Sequence, residues 1–170
     1  MDLHPPFRVG HGYDLHRLEP REPDGKGRLL VVGGVGIDHD MGPVSHSDGD
    51  AALHAVTDAI LGALGEPDIG QLFPNTDPQW ESATSDQFLL EAADRARRAG
   101  YAVSNLDLTV ILERPKLAPV KDQIRSNVAR LIGIDESLVN VKGKTHEKVD
   151  AVGEGRAVEA HAVVLLMRAD

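Results

Sequence analysis

The stretch SDGDAALHAVTDAILGALG, residues 47–65, predicts the helix around which the rest of the chain is arranged. Its apolar residues recur every three or four positions and form one buried stripe, made of Leu53, Val56, Ile60 and Leu64. Ser47 is placed to cap the helix, and Asp50, three residues later, fits a variant of the capping box. Gly65 and Pro67 end the helix. The stretch therefore predicts an amphipathic helix with one face against a core.

The flanking segments predict strands and further helices. Apolar and β-branched runs indicate strands over residues 7–12, 29–35, 103–112, 138–142 and 157–167. Helical spacing closed by glycine indicates helices over residues 85–99 and 120–132, whereas 19–27 and 68–78 are typical of loops. Gly33 and Gly34 indicate a bulge or close backbone contact, and the last strand is expected to be buried on both faces near its end. The order predicts one α+β domain over residues 1–170, a two-layer sandwich of a mixed sheet with helices on one face.

Composition limits the partners of the chain. The formal net charge of −9 argues against nucleic acid or an anionic membrane surface as a partner. The same charge means that a phosphate substrate needs local cations or a metal. No cysteine is present, so a zinc site has to use histidine and carboxylate ligands. No apolar run reaches the length of a membrane span and the first residues do not form a signal peptide, so a cytoplasmic protein is expected.

Three residues form a candidate metal site. Asp14 and His16 are two apart on a predicted strand and therefore point to one face, where His54 can meet them from the helix. Taken singly, each is better explained as an ordinary turn or helix residue; their conjunction favours a metal. Two imidazoles and one carboxylate make a catalytic zinc shell with an open fourth position. Asp50 and Asp58 are candidate acceptors that orient the imidazoles, although capping explains Asp50 equally well.

A second group of polar residues follows a predicted strand near the end of the chain. Thr145 and Glu147 are two apart, so both can face one cleft. The threonine hydroxyl can donate to phosphate oxygens, and the glutamate can hold a magnesium ion that does the same. A polar turn is an equally good explanation of this pair. Lys116 lies at a strand end, where from spacing alone a solvated surface lysine is the favoured interpretation.

The motifs together resemble a known enzyme family. They are GHGYDLH at residues 10–16, SDGDAALHAVTDAILG at 47–62, DIG at 68–70, LFPNTDP at 72–78, RPK at 114–116 and KTHEK at 144–148. In order and spacing they are similar to the 2-C-methyl-D-erythritol 2,4-cyclodiphosphate synthases, the cyclases of the non-mevalonate isoprenoid pathway. The resemblance covers nearly the whole chain.

This resemblance implies a homotrimeric phosphorus-oxygen lyase with an active site at each subunit interface. The expected reaction is metal-dependent cyclisation of 4-diphosphocytidyl-2-C-methyl-D-erythritol 2-phosphate, with release of CMP. By the resemblance Asp14, His16 and His54 bind Zn²⁺, and Glu147 helps to hold Mg²⁺ or Mn²⁺ between the two phosphates of the diphosphate. His46 and Thr145 correspond to the positions that stabilise the transition state.

The resemblance also implies which residues bind the cytidine diphosphate-linked substrate. The phosphate and erythritol side is matched by Asp14, His16, His46, Ser47, Asp68, Ile69, Gly70, Phe73, Asn75 and Asp77. The cytidine diphosphate side, expected in the adjacent subunit, is matched by Leu112, Pro115, Lys116, Leu117, Ala118, Lys144, Thr145, His146 and Glu147.

The chain departs from the family pattern at three places. Asn75 stands where Asp is common, Lys144 stands where Thr or Ser is frequent, and the segment 149–155 is shorter by about two residues. An isoprenoid-diphosphate site on the trimer axis is therefore not implied. Residue chemistry alone leaves a zinc-dependent phosphoester hydrolase as an alternative to the cyclase. A non-catalytic trimeric binding module with a structural metal is a third hypothesis, which the open coordination position argues against.

Overall fold

The computed structural model describes residues 5–74, 76–80 and 82–169. Its strands are β1 (Phe7–Pro20), β2 (Leu30–Val32), β3 (Val35–Ile37), β4 (Met41–Pro43), β5 (Tyr101–Ile111), β6 (Val139–Lys144) and β7 (Ala157–Arg168). Its α-helices are α1 (Ala51–Leu64), α2 (Ile69–Leu72), α3 (Ser85–Arg98), α4 (Lys121–Ile132) and α5 (Asp150–Gly153). Short 3-10 turns lie at Pro78–Trp80 and Glu136–Leu138.

Five strands form a mixed sheet in the order β4-β1-β7-β5-β6. β5 and β6 run parallel, and the other neighbouring strands are antiparallel. β1 is longer than predicted and continues to Pro20, so the predicted loop over 19–27 begins later than expected. The predicted loop over 68–78 contains α2. The α+β class with a mixed sheet is confirmed.

The helices and one face of the sheet enclose the core. Buried residues of α1, α3 and α4 join alternate residues of β5, β6 and β7 in one hydrophobic cluster. β7 shows the alternation: Ala160, Ala162 and Val164 are buried, while Val163 and Met167 on the other face are 43% and 49% exposed. The expectation that this strand is buried on both faces near its end is therefore wrong. Among the described residues, none covers the second face of this strand as the helices cover the first.

α1 begins one turn later than the sequence pattern predicted. The N-cap is Asp50, whose side chain accepts a hydrogen bond from the backbone N–H of Leu53 at 3.0 Å. Ser47 lies in the preceding loop and is not the cap. The predicted end is confirmed, because Gly65 adopts the left-handed conformation and closes the helix.

The two glycines at 33 and 34 form a hairpin turn, so the prediction of one strand with a bulge is wrong. The alternative expectation, a close contact at the glycine backbone, is confirmed, because a Cβ atom at Gly34 would stand 2.2 Å from Asn127 Nδ2. Both glycines have positive φ, +60° and +76°, as the tight turn between β2 and β3 requires. Their backbone N–H groups donate to the Asp50 carboxylate at 2.9 and 2.6 Å. The hairpin therefore completes the cap of α1.

No helix in the described part of the chain is long and apolar enough to cross a bilayer.

Two further glycines set the distance between α1 and β1. Gly10 and Gly12 are buried on β1 and face the helix. A Cβ atom at Gly10 would overlap the carbonyl oxygen of Ala59, and one at Gly12 would overlap that of Ala55. The helix backbone therefore lies directly on the strand backbone, with no side chain between them.

Replacing Gly12 by alanine is expected to destabilise the protein by about 3 kcal/mol, because the added methyl group must push α1 away from β1. Gly62→Ala is the matched control. Gly62 lies in α1, and its added Cβ would stand 3.8 Å from the nearest atom, the carbonyl oxygen of His11. That variant should gain up to about 1 kcal/mol from helix propensity. Urea unfolding of both variants measures the difference, and equal stabilities would contradict the close-packing explanation.

Candidate metal centre and substrate cleft

Asp14, His16 and His54 converge on one point, as the sequence predicted. The Asp14 Oδ2 atom lies 2.9 Å from His54 Nδ1 and 3.3 Å from His16 Nε2. The two imidazoles approach each other at 3.2 Å between His16 Nε2 and His54 Nδ1. One ligand atom from each residue lies within 4.8 Å of the other two, so the three can hold a metal ion.

The local fold explains this convergence. Gly10, Gly12, Asp14 and His16 occupy alternate positions of β1 and share the face that α1 covers. His54 lies in the first turn of α1, on the side turned toward β1, and its side chain is 10% exposed. Since the glycines bring the helix backbone onto the strand, an imidazole from the helix reaches a carboxylate from the strand without an intervening layer.

Burial and charge act in opposite directions at this cluster. Burial raises the pKa of Asp14, but the hydrogen bond with His54 and the two imidazoles outweigh it and keep the pKa below the usual 3.8. Burial lowers the pKa of His54, yet the hydrogen bond and charge of Asp14 raise it above 6.5. For His16 burial is the larger effect and holds the pKa below 6.5. At a pH below the raised pKa of His54, Asp14 and His54 therefore form a partly buried ion pair in the metal-free protein.

The donor set suits a divalent ion. Two imidazole nitrogens and a carboxylate oxygen are ligands typical of zinc, and a three-residue shell leaves a position for a further ligand. The cluster opens into a cleft of about 510 Å³, a size typical of small-molecule sites. The cleft is lined by Asp14, His16, Val44, Ser45, His46, Ser47, His54, Ile69, Gly70, Phe73, Trp80 and Phe88. Most of the predicted phosphate and erythritol residues are therefore in one place.

One wall of the cleft is aromatic, and of its three rings only Phe73 was predicted to bind substrate. Phe73 packs against Phe88 at 4.7 Å and against Trp80 at 5.2 Å between ring centroids. Phe88 in turn lies 6.0 Å from the ring of His54. Trp80 Nε1 and His46 Nε2 are buried without a hydrogen-bond partner among the described residues. Both atoms belong to residues that line the cleft, and a buried polar atom without a partner calls for an explanation such as a bound ligand.

Other predicted residues on this side have structural contacts. Asp68 caps α2 by accepting from the backbone N–H of Gln71 at 2.9 Å. Asp77 accepts from the backbone and side chain of Gln79. Asn75 lies outside the described residues. None of these three contributes to the described lining of the cleft.

The proposed orienting role of Asp50 and Asp58 is wrong. Asp50 is fully buried and binds backbone N–H groups of Leu53, Gly33 and Gly34; burial nevertheless raises its pKa to about 6. Asp58 accepts from the backbone N–H of Ile69 at 2.8 Å and thereby holds the start of α2. Both carboxylates were spaced correctly for the imidazoles, but other backbone segments occupy them.

The nucleotide-side residues form a second cleft. It is lined by Leu112, Glu113, Lys116, Leu117, Ala118, Lys121, Gly143, Lys144 and Thr145. Thr145 donates to Glu147 at 2.9 Å, so the two do face each other. Glu147 has a positive φ of +51°, an uncommon conformation for a non-glycine residue. Pro115, His146 and Glu147 adjoin this lining, and His146 pairs with Asp150 at 2.9 Å.

The sequence also did not predict the contacts that His54 makes on the side facing away from Asp14. Its Nε2 atom lies 2.8 Å from Ser85 Oγ and 3.4 Å from Ser47 Oγ. Ser85 is the first residue of α3 and is bound through both its hydroxyl and its N–H to the carboxylate of Asp48. No local spacing links residue 85 to residue 54, so only the packed structure reveals this contact.

Comparison with known proteins identifies the family. The model of the YgbB family matches residues 7–167. The chain belongs to the YgbB family. A relative named 2-C-methyl-D-erythritol 2,4-cyclodiphosphate synthase, chloroplastic, from Arabidopsis thaliana is 57% identical to this YgbB chain over 163 residues, covering 96% of the chain and 68% of the relative. The synthase of that name from Chromobacterium violaceum is 50% identical and covers 96% of this chain and 99% of its own length.

Solved structures share the fold of this YgbB-family chain. A structure described as IspF from Plasmodium falciparum in complex with CDP superposes with a TM-score of 0.85 at 38% identity. The match covers 98% of this chain and 99% of that one. The mixed sheet with its helices is therefore the YgbB fold.

The ion pair at the metal centre predicts a pH dependence for the metal-free protein. The raised pKa of His54 contributes stability that is fully present below pH 6.5 and is lost as the pH rises through the raised value. The lowered pKa of Asp14 contributes stability that is present above pH 3.8 and is lost as the pH falls through the lowered value. The gap in unfolding free energy between wild type and Asp14→Asn should therefore be widest between pH 3.8 and 6.5 and should narrow at pH 8.

Urea unfolding in the presence of a chelator measures this gap. Asp40→Asn is the control, because Asp40 pairs with His39 at 3.1 Å but is 88% exposed in its side chain, where such a pair contributes little. NMR titration should also find a lower pKa for His54 in Asp14→Asn than in wild type, since the hydrogen bond and charge of Asp14, the largest influences that oppose burial, are then removed. A gap that stays constant between pH 5.5 and 8 would contradict the ion pair.

Proposed function

We propose that this YgbB-family chain is a 2-C-methyl-D-erythritol 2,4-cyclodiphosphate synthase. It converts 4-diphosphocytidyl-2-C-methyl-D-erythritol 2-phosphate to the cyclic diphosphate and releases CMP. The observation that carries the proposal is the convergence of Asp14, His16 and His54 at a cleft, in a chain 50–57% identical to relatives named for this product. The same names give no support to the phosphoester hydrolase alternative.

The reaction needs positioning more than acid–base chemistry. The 2-phosphate oxygen attacks the β-phosphorus, the bond from that phosphorus to the oxygen of CMP breaks, and no water is consumed. The attacking group is already an anion near neutral pH, so a strong general base is not required. The obstacle is the approach of two anionic groups in line.

The residues of the first cleft fit this task. Asp14, His16 and His54 form a donor set that suits Zn²⁺, which when bound would neutralise phosphate charge and orient the reacting oxygens. His46 presents a buried Nε2 without a described partner, and Ser47 lines the same cleft; we assign both to substrate phosphate. Ile69, Gly70 and Phe73 line the side expected to hold the erythritol group.

The second cleft is assigned to the cytidine diphosphate end of the substrate. Lys116 and Lys144 bring positive charge there, and Thr145 brings a hydroxyl beside Glu147. We assign Thr145, with His46, to stabilisation of the transition state, and Glu147 to a second ion, Mg²⁺ or Mn²⁺. The CDP in the Plasmodium falciparum relative supports a nucleotide ligand of this class. A cytoplasmic location stays a prediction, and the plant relative is described as chloroplastic.

A homotrimer would unite the two clefts. Within the described chain, no residue lines both, so one substrate that needs both is best served by two subunits. The open face of the sheet offers a surface for such an assembly. Paired positions of β1 and β7 carry exposed apolar residues there, including Val9 at 65%, Phe7 at 59% and Met167 at 49%. An apolar surface of this kind indicates a contact between proteins.

Incubation with the candidate substrate is expected to yield the cyclic diphosphate and CMP, both identified by phosphorus NMR. Chelation should abolish turnover, and readdition of Zn²⁺ with Mg²⁺ should restore it. His54→Ala should lower kcat more than about 100-fold, because it removes a metal ligand. His39→Ala is the control, since His39 pairs with exposed Asp40 outside the cleft. An open-chain phosphate product would identify a hydrolase and contradict the proposal.

Subunit mixing tests the shared site. Wild type should show about three times the chain mass of 18.3 kDa by light scattering. His54→Ala and Thr145→Ala should each be inactive trimers, because each disables one half of every site. Co-expressed together they should recover about a quarter of wild-type activity, since random association creates interfaces with two intact halves. Mixed trimers without recovered activity would show that one chain supplies both halves.

A further inference from the structure

A buried chain of hydrogen bonds lies behind the metal centre, on the side of His54 that faces away from Asp14. His54 Nδ1 faces Asp14 Oδ2 at 2.9 Å, and its other ring nitrogen, Nε2, lies 2.8 Å from Ser85 Oγ. The Ser85 hydroxyl in turn contacts Asp48 Oδ1. Ser85 is completely buried. The four residues thus form a continuous line from Asp48 to Asp14.

We propose that Asp48 and Ser85 are positioning residues that fix the orientation of the His54 ring for metal binding. The inference rests on the proposed function, because it assumes that His54 is a metal ligand. It adds residues from a loop and from α3 that do not touch the metal position themselves.

The direction of each hydrogen bond follows from the ends of the line. The Asp48 carboxylate can only accept, so the Ser85 hydroxyl donates to it. The oxygen of that hydroxyl is then free to accept from the Nε2–H group of His54. A histidine that keeps its proton on Nε2 presents an unshared electron pair on Nδ1, the nitrogen that faces Asp14 and His16. The pair thus selects the tautomer that the metal site requires.

Asp48 holds the serine in place by a second contact. Its Oδ2 atom accepts the backbone N–H of Ser85 at 2.9 Å, and its own backbone N–H donates to the carbonyl oxygen of Ala83 at 3.1 Å. Both the hydroxyl and the peptide of residue 85 are therefore tied to one carboxylate. Because Thr84 makes no side-chain cap for α3, Asp48 also caps this helix from a distance.

Ser47 is the weaker partner of the same nitrogen. Its hydroxyl lies 3.4 Å from His54 Nε2 and is shared with the backbone N–H of Gly49 and with Ser45. Ser85 lies 0.6 Å nearer and has its proton committed to a carboxylate, which makes its oxygen the better acceptor. Loss of Ser85 should therefore weaken the hold on the ring without being fully replaced by Ser47.

Binding of Co²⁺ to the purified apoprotein tests the proposal, because visible absorption reports both affinity and coordination geometry. Ser85→Ala is expected to weaken Co²⁺ binding about 10–100-fold and to alter the absorption bands. Thr57→Val is the matched control. It also removes a completely buried hydroxyl, whose hydrogen bond goes to Leu53 O at 2.8 Å in α1 rather than to the His54 ring. Its spectrum and Co²⁺ affinity should equal those of wild type.

Asp48→Asn provides an independent variant. The amide keeps the shape of the carboxylate but cannot accept from both the hydroxyl and the N–H of Ser85. Its Co²⁺ affinity should fall by a similar factor, and the double variant with Ser85→Ala should be little worse than either single variant, because both break one line. Thermal unfolding of each variant without metal separates a general loss of stability from the effect on binding.

The outcomes separate this inference from the proposed function. If wild type binds Co²⁺ and both Ser85→Ala and Asp48→Asn bind it as tightly with unchanged spectra, the positioning role is wrong and the metal site stands. If wild type itself binds no divalent ion, the proposed function fails and the inference fails with it. Strictly additive losses in the double variant would also overturn a single connected line.

Discussion

The close approach of α1 to β1 is the constraint on which the site depends. Two glycines on the strand let the helix backbone lie against the strand backbone, and the next two inward positions on that strand are Asp14 and His16. The same contact that closes the core therefore sets the distance from a strand carboxylate to a helix imidazole. The distance between α1 and β1 determines both the packing of the core and the geometry of the three ligand residues, so a change in that distance must affect both.

Around this contact the polar groups are held from several sides. The β2–β3 hairpin binds Asp50 at the start of α1, α2 is tied to Asp58 near the middle of that helix, and Asp48 binds the start of α3. Each carboxylate satisfies backbone N–H groups that would otherwise be buried without partners. The acidic residues clustered in the SDGD motif are thus divided between holding helices and supporting the histidine. The net charge of −9 therefore does not by itself give the charge of the cleft, since some of the acidic residues bind backbone N–H groups at helix ends.

The sequence alone predicted the contacts that depend on local residue spacing and did not predict those that depend on tertiary packing. The two-residue period of β1 and the helical period of α1 were enough to place Asp14, His16 and His54 together, because each pattern acts over a few residues. The sequence pattern wrongly predicted Ser47 as the cap of α1, where the structure has Asp50. Two of the donors to Asp50 come from a hairpin 16 and 17 residues away, which local spacing does not show. Ser85 and Trp80 carry no motif of their own, and their proximity to the cleft arises only from tertiary packing. Serine and aspartate spacing cannot reveal which backbone a side chain will meet.

The aromatic wall of the cleft has a practical consequence. Trp80 is the single tryptophan of the chain, and its ring lies edge-on to Phe73 and 5.7 Å from Phe88, which adjoins His54. The tryptophan lines the cleft, and its indole nitrogen is buried without a hydrogen-bond partner among the described residues. Tryptophan fluorescence from this protein therefore comes only from Trp80, at the wall of the cleft. A ligand that enters the cleft should change the intensity or wavelength of this fluorescence, so its binding can be followed without a dye or an engineered label.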